Sequence, residues 1–442
     1  MMKFVGRSLF AVLVLLLLPV GTGARADLLG HGGMVRALDI SPDGRRIVTG
    51  SFDFSAILWD FEEQRELAVL DGHEGPVTSV RFLPDGRVLS TGDDRRALIW
   101  DISGSEPRIV HELNGHTHKV MAGAVSGDGK IAVTGGWDKT VRIWNTSSGN
   151  AIRSIALPVP VNAVALIRND ATIAVGGHDS AIRLFDVRTG RAQGKLVGHK
   201  MGITELRASP NGRQLLSASI DKTLRLWDAY SHQPIRVLER HDSQVYGVRF
   251  TPDGRTAISG GRDGFIMIWD LATGKLLKSI KAHESIIWAV AVSPDGRFAI
   301  SGSSDDTARV WHLATGDRIG VVTETEDEPK PWLESDHPGA DLYKKCARCH
   351  ALSPGGPRRS GPHFQGLFGR RVGTVPGYRY SDALKDQGFE WNQVTLFKLF
   401  DEGPDKFLPG TKMPVQRVSD RRKLSDLVDF LQQLTDPKKN AN

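Results

Sequence analysis

Residues 241 to 270 read HDSQVYGVRFTPDGRTAISGGRDGFIMIWD. Apolar positions alternate through YGVRF and TAISG, with TPDGR between them. Period-2 apolar patterning around a Pro-Asp-Gly turn is the pattern of a β-hairpin. The stretch opens on His and closes on Trp-Asp, and both marks recur along the chain. Trp59-Asp60, Trp100-Asp101, Trp144-Asn145, Phe185-Asp186, Trp227-Asp228, Trp269-Asp270 and Trp311-His312 follow one another at spacings of 41 to 44 residues. Gly-His or its remnant recurs at His31, His73, His116, His199, His241 and His283. SPDGR turns begin at Ser41 and Ser293, with near-copies elsewhere. Such a period marks a chain built from repeated supersecondary units.

On these motifs the chain resembles the WD-repeat β-propeller family from residue 27 to about 323. The resemblance implies seven four-stranded blades around a central channel. It also implies a buried polar tetrad in each regular blade: His241, Ser259, Asp263 and Trp269 in the sixth, and His283, Ser301, Asp305 and Trp311 in the seventh. The first, third and fifth repeats fit through His31/Thr49/Asp53/Trp59, His116/Thr134/Asp138/Trp144 and His199/Ser217/Asp221/Trp227. The fourth departs: it keeps Asp179 but has Phe185 for Trp, Val175 for Ser or Thr, and LPVPVN in place of Gly-His, which reads as a blade packed hydrophobically instead. Two segments compete for the last outer strand, DLLGH at residues 27–31 and DRIGVVT at 317–323, and the longer, better-patterned second is preferred.

Propellers of this family bind partners through the face carrying the turns before each tetrad Asp and the starts of the innermost strands. Here those positions include Trp137 and Arg262, and Tyr246 and Trp288. Aromatic residues and Arg are enriched at interface cores, so Tyr246, Arg262, Trp288 and Trp137 are the candidate partner-binding residues. Scattered histidines outside the repeats lack metal-ligand spacing. No Ser-His-Asp or paired-carboxylate arrangement rises above the repeat pattern, so the propeller reads as non-catalytic.

The 442 residues exceed one ordinary core and predict a multidomain chain. Residues 1–26 read as a secretory signal: Lys3 and Arg7, an apolar run from Leu9 to Val20, then Ala24-Arg25-Ala26. The run is shorter than the roughly 20 residues of a spanning helix, and no cysteine follows it. The expectation is a mature protein that starts near Asp27, has no stable membrane span and resides in the bacterial periplasm. The net charge of +6 is unevenly placed: 18 Lys and Arg against 12 Asp and Glu from Asp336 onward, and 36 against 39 between residues 27 and 335. The basic excess can steer an acidic protein partner; nucleic acid is not expected of an exported chain without a basic-aromatic cluster.

Residues 324–336 are acidic and proline-containing and read as a linker. Beyond them the pattern turns helical, ending in SDRRKLSDLVDFLQQLTD with Ser419 as the expected N-cap and Leu424, Leu427, Val428 and Leu431 at helical spacing. Both cysteines of the chain lie in KKCARCHAL, residues 344–352. Export favours disulfides, and Cys346 with Cys349 could form one, but Cys-x-x-Cys followed by His is better explained as c-type haem attachment. Two thiols one helical turn apart can add to both haem vinyl groups, and the next histidine can then reach the iron.

SGPHFQGLFGRRVGTVPGYRYSDAL (360–384) and FLPGTKMPV (407–415) follow in order. With them, residues 337–436 resemble a small all-α class I cytochrome c of the mitochondrial and bacterial c2-like type; 437–442 form a tail. The resemblance implies His350 and Met413 as axial metal ligands and one haem c held through Cys346 and Cys349. It also implies a Pro362 carbonyl fixing the His350 ring, and Arg370, Tyr380 and Trp391 near the propionates. Lys345 and Lys412 would flank the exposed haem edge and join the partner-binding residues. The chain departs from the family at KLFDEGPDKF (398–407), which carries an extra residue beside the Met loop and Leu399 and Phe400 where a tyrosine is common.

His/Met ligation raises the potential and leaves no open coordination position. The reading is therefore an exported, non-catalytic electron carrier whose propeller docks redox proteins, partners expected to present an acidic surface. The competing reading is a periplasmic oxidoreductase whose propeller oxidises a small molecule and passes electrons to its own haem.

Overall fold

The computed structural model describes residues 27–104, 106–320, 332, 335–347, 349–354, 361–378, 380–385, 387–411, 413 and 416–435. Residues 1–26, read above as a signal, most of the linker, Lys412 and the tail lie outside the described residues.

Seven four-stranded antiparallel sheets follow one another along the chain, each pairing its strands in sequence order. The first holds Val35–Ile40, Arg46–Ser51, Ser55–Asp60 and Glu66–Asp71. The first strands of neighbouring blades touch around a central channel. The hairpin turns hold themselves: Ser41 Oγ donates to Asp43 and accepts from the Arg46 N–H, while Gly44 supplies the positive φ of +72°. The cores lie between blades. Ala37, Val48 and Leu58 of the first blade pack with Val77, Val80 and Leu98 of the second, and Val35 and Leu38 with Ile300 and Val310 of the seventh. A Cβ at Gly302 would stand 2.7 Å from Val35 Cγ1, so glycine is needed for that approach.

The tetrads form as hydrogen-bonded chains. In the first blade Trp59 Nε1 donates to Thr49 Oγ1 at 2.8 Å, Thr49 Oγ1 lies 2.7 Å from His31 Nε2, and His31 Nδ1 lies 2.9 Å from Asp53. One consistent polarity, Trp to hydroxyl to imidazole to carboxylate, gives each buried group a partner. The third, fifth and sixth blades repeat it, as does the seventh. The second blade also has one, through His73, Ser90, Asp94 and Trp100. Its second strand, Val88–Gly92, has five residues where the second strands of the other blades have six, which moves the hydroxyl one place along the sequence pattern. In the fourth blade Val175 and Phe185 are buried in an apolar cluster with Leu157 and Ile173, and Asp179 turns to Arg183 at 2.6 Å.

The preferred C-terminal segment supplies the last outer strand, and the N-terminal one adds a bridge to the same edge. Arg318–Ile319 pairs with Ala308–His312, and Leu28 bridges the same strand at Ala308, its N–H 2.9 Å from the Ala308 carbonyl. Leu28 is wholly buried, and Asp27 pairs with Arg318 and lies 3.4 Å from Arg309. Among the described residues both segments lie on that edge.

The C-terminal domain is helical: α1 (Ala340–Cys346), α2 (Asp382–Lys385), α3 (Gln393–Glu402), α4 (Pro404–Phe407) and α5 (Arg421–Thr435). Asn392 and Thr395 form a capping box on α3. Asp420, not Ser419, caps α5: its carboxylate accepts from the Arg422 and Lys423 N–H groups at 3.0 and 3.2 Å. The packed core includes Tyr343, Phe400, Leu424, Leu427 and Leu431. Trp332, read from sequence as linker, belongs to it, 5.2 Å from the Tyr343 ring. Among the described residues no helix is long and apolar enough to cross a membrane.

Candidate functional site

α1 delivers the thiols. Its last turn ends at Cys346, whose carbonyl accepts from the Cys349 and His350 N–H groups, both at 3.0 Å. One turn thus carries both thiols and the imidazole. The thiols are unpaired with each other, Cys346 buried and Cys349 half-buried. Burial, with Cys349 beside it, pushes the Cys346 thiol up to about 12. Such a thiol is a poor free nucleophile at neutral pH.

His350 is held on two sides. Its Nδ1 lies 2.8 Å from the Pro362 carbonyl oxygen, and its ring stacks on Phe364 at 4.3 Å and 13°. A carbonyl only accepts, so Nδ1 carries the proton and Nε2 keeps its lone pair. Loss of water contact pushes the imidazole down to about 4, the Pro362 carbonyl pulling the other way; the ring is neutral at ordinary pH.

Arg370 donates to the carbonyls of Gln365 at 2.9 Å and His363 at 3.0 Å, which ties the loop after Pro362 into one unit. Trp391 is tied to the same unit through backbone bonds to Gly369 and Arg370 and packs edge-on against Phe389. The Tyr380 hydroxyl accepts from the Val375 N–H at 3.3 Å, and burial raises its pKa. Met413 is partly buried against the core that also contains Phe364 and Cys346; its N–H reaches Thr411 Oγ1 at 3.2 Å. Leu399 and Phe400 are buried and supply no hydroxyl there. Lys345 is exposed, while Lys344 pairs with Asp341 at 2.6 Å.

The residues present fit a haem. Beyond the thiols and a histidine with one nitrogen committed and one available, the Ser381 Oγ is buried with no hydrogen-bond partner among the described residues. A buried hydroxyl without a partner costs about 1–3 kcal/mol, and a polar group of the cofactor would supply one. Ser381 was not singled out in the sequence; its position directly after Tyr380 was the available signal.

The WD domain, G-beta repeat family matches residues 24–60, 64–101, 107–145, 190–228, 232–270 and 274–312, more than half the chain. The segment between the third and fourth matches is the blade that lacks a tetrad. Cytochrome c of Cochliobolus lunatus is 47% identical over 98 residues, 22% of this chain and 90% of that protein. Cytochrome c of Arabidopsis thaliana is 45% identical over 98 residues, 22% of this chain and 87% of its own length. Cytochrome c2 of Blastochloris viridis is 40% identical over 95 residues, 22% and 74% of the two chains. The chain belongs to the WD40-repeat family and carries a cytochrome c domain. Haem c is therefore its cofactor and electron transfer the work of that domain, with redox partners to match.

On the propeller of this WD40–cytochrome c chain, the candidate docking residues divide. The Tyr246 and Trp288 rings lie 4.4 Å apart, tilted at 41°, and the Arg36 guanidinium sits 4.7 Å over Trp288. Arg262 is exposed. Trp137 belongs to a different group: it packs between His118 and His178 and donates to Asn162 at 3.0 Å. The sequence grouped these aromatics by repeat position, whereas the fold separates the third and fourth blades from the sixth and seventh.

Proposed function

We propose that the protein is an exported periplasmic electron carrier with one haem c, attached through Cys346 and Cys349 and ligated by His350 and Met413. The observation that carries the reading is the His350–Pro362 hydrogen bond at 2.8 Å, which commits Nδ1 and leaves Nε2 for a metal. When bound, the haem supplies a one-electron couple, made more positive by a methionine ligand. The chain's own part is to hold the imidazole neutral and fixed and to cover one side with the Met413 segment. Half-buried Cys349 and exposed Lys345 place the attachment turn at the surface, where an electron can pass to a docked protein. The propeller acts as the docking scaffold, with Tyr246, Trp288 and Arg262 as its contact residues. The basic balance of the cytochrome c domain fits partners with an acidic surface.

The test combines fractionation, haem quantification and kinetics. The mature protein is expected in the periplasmic fraction, beginning near Asp27 and carrying one haem per chain. Its rate with an acidic redox partner should fall steeply as salt is raised. Reduction of the haem by a small molecule, with the purified protein alone, would replace this reading with that of an oxidoreductase.

A further inference from the structure

The innermost strands place an unusual set of charges inside the propeller channel. Arg81, Arg207 and Arg249, with Asp39, occupy the same register position, four residues beyond the first residue of their strands. Arg36 lies nearer the strand starts, and Glu205 reaches in from the fifth blade.

Glu205 Oε1 faces three guanidinium groups: Arg249 Nη1 at 2.7 Å, Arg207 Nη2, and Arg81 Nη2 at 3.7 Å. Its Oε2 accepts from the Val248 N–H at 2.8 Å. Asp39 is committed as well, accepting from the Phe82 N–H at 2.9 Å. Four arginines therefore face two carboxylates inside the channel; a third, Asp93, acts on Arg36 but is already paired with Lys119. The shortfall is visible in the donors: Arg81 Nη1 and Arg207 Nη1 turn back to the backbone carbonyls of Val80 and Leu206. Arg207 Nε is buried with no hydrogen-bond partner among the described residues. Burial pushes the Arg81 guanidinium down to about 10, the charge of Arg249 adding to it.

Guanidinium groups grouped beyond their counter-charges, with an unused buried donor, are a site for an anion. The Tyr246 and Trp288 rings stand among the lining of the cavity that holds them. We propose that the channel binds a small oxyanion, a phosphate or a small dicarboxylate, among Arg36, Arg81, Arg207 and Arg249. This is independent of the haem and of the docking role. Glu205 is the internal anion that organises the arginines and limits how tightly a second one binds.

The experiment is calorimetric unfolding of the full-length holoprotein at constant ionic strength, replacing chloride with inorganic phosphate in one arm and succinate in the other. The propeller transition should rise by about 3–5 °C once a ligand exceeds its Kd a hundredfold; the arm that gives it identifies the anion class. Arg207→Gln should abolish the rise. Glu205→Gln, which removes the competing carboxylate, should tighten binding tenfold or more. An unaltered haem absorbance and far-ultraviolet dichroism would show that both variants are folded. No rise in either arm would mean that water fills the channel and would overturn the proposal. So would a rise equally large in Arg207→Gln, or one lost in a folded Glu205→Gln protein.

Discussion

His350 donates from Nδ1 to the carbonyl oxygen of Pro362, and the residue before that proline leaves no space above the ring. A Cβ at Gly361 would stand 2.3 Å from His350 Cε1 and 2.7 Å from Nε2. Gly361→Ala is therefore expected to displace the imidazole and to destabilise the domain by about 1–3 kcal/mol, the usual cost of overpacking. Visible spectroscopy of the ferric protein should show a weakened Met–iron band and potentiometry a shifted midpoint. An unchanged spectrum and potential would remove Gly361 from the positioning of the ligand.

Met413→Ala should lower the midpoint potential by at least about 0.1 V, within the roughly 0.8 V range that axial ligands command. The variant should also bind added imidazole, which the wild type is expected to exclude. If neither changes, Met413 is an ordinary loop methionine.

Acid should loosen the propeller in a defined window. Burial pushes the Asp53 carboxyl up, but its electrostatic interaction and hydrogen bond with His31 and the hydrogen bonds from Ser55 outweigh it, bringing the pKa down to about 2. Asp305, set by burial against His283 and Thr307, also lies at about 2. A carboxyl depressed on folding stabilises above its unfolded pKa near 4 and loses that contribution as pH falls through its folded value. Stability should be flat in this contribution above about pH 5 and decline toward pH 2, by about 2 kcal/mol for Asp53. Denaturant melts of Asp53→Asn should show lower stability at pH 7 and a shallower acid limb.

One exchange should be costly in both directions in different blades. Ser259→Ala leaves Trp269 Nε1 and His241 Nε2 without the hydroxyl they share, at 2.8 and 2.7 Å. Val175→Ser buries a hydroxyl in the fourth blade, where no histidine stands to meet it. Each should cost about 1–3 kcal/mol in chemical denaturation. A neutral Val175→Ser would mean that the fourth blade holds an unseen polar partner.

Asp27 is 8% exposed and grips Arg318 across the seam of the ring. Arg318→Ala should destabilise the propeller by about 1–2 kcal/mol, because Asp27 then keeps Arg309 at 3.4 Å but loses its closer partner. The haem domain's own unfolding transition should not move. A propeller midpoint indifferent to Arg318→Ala would leave the seam to Leu28 and the strand pairing.

Much of the architecture was legible because it is local and repeated. The turns, the alternation and the Trp-Asp punctuation lie within forty-two residues of one another, and the haem motif within five. What escaped depends on spacing changes or on contacts between distant segments. The Ser90 hydroxyl of the second blade was displaced by a shorter strand. Trp332 looked like linker until the helical core formed around it, and Asp420 outcompeted Ser419 by one position. Ser381 signals itself only through a hydroxyl with no partner among the described residues. The channel arginines are ordinary surface-type residues in four separate repeats; a shared strand register turns Arg81, Arg207 and Arg249 toward one axis, and Arg36 joins them from nearer its strand start.

The seventh sheet takes Leu28 from the front of the propeller and Arg318–Ile319 from its back, both laid on Ala308–His312. Bringing together positions about 280 residues apart costs roughly 5 kcal/mol of loop entropy. No single blade incurs that cost when it folds from its own forty-two residues. Blades are therefore expected to mature in order and the ring last, as a separate event. Until then the 308–312 strand has an incomplete outer edge, available to a neighbouring chain. The interval between the last blade and ring closure is when this protein is most exposed to mispairing.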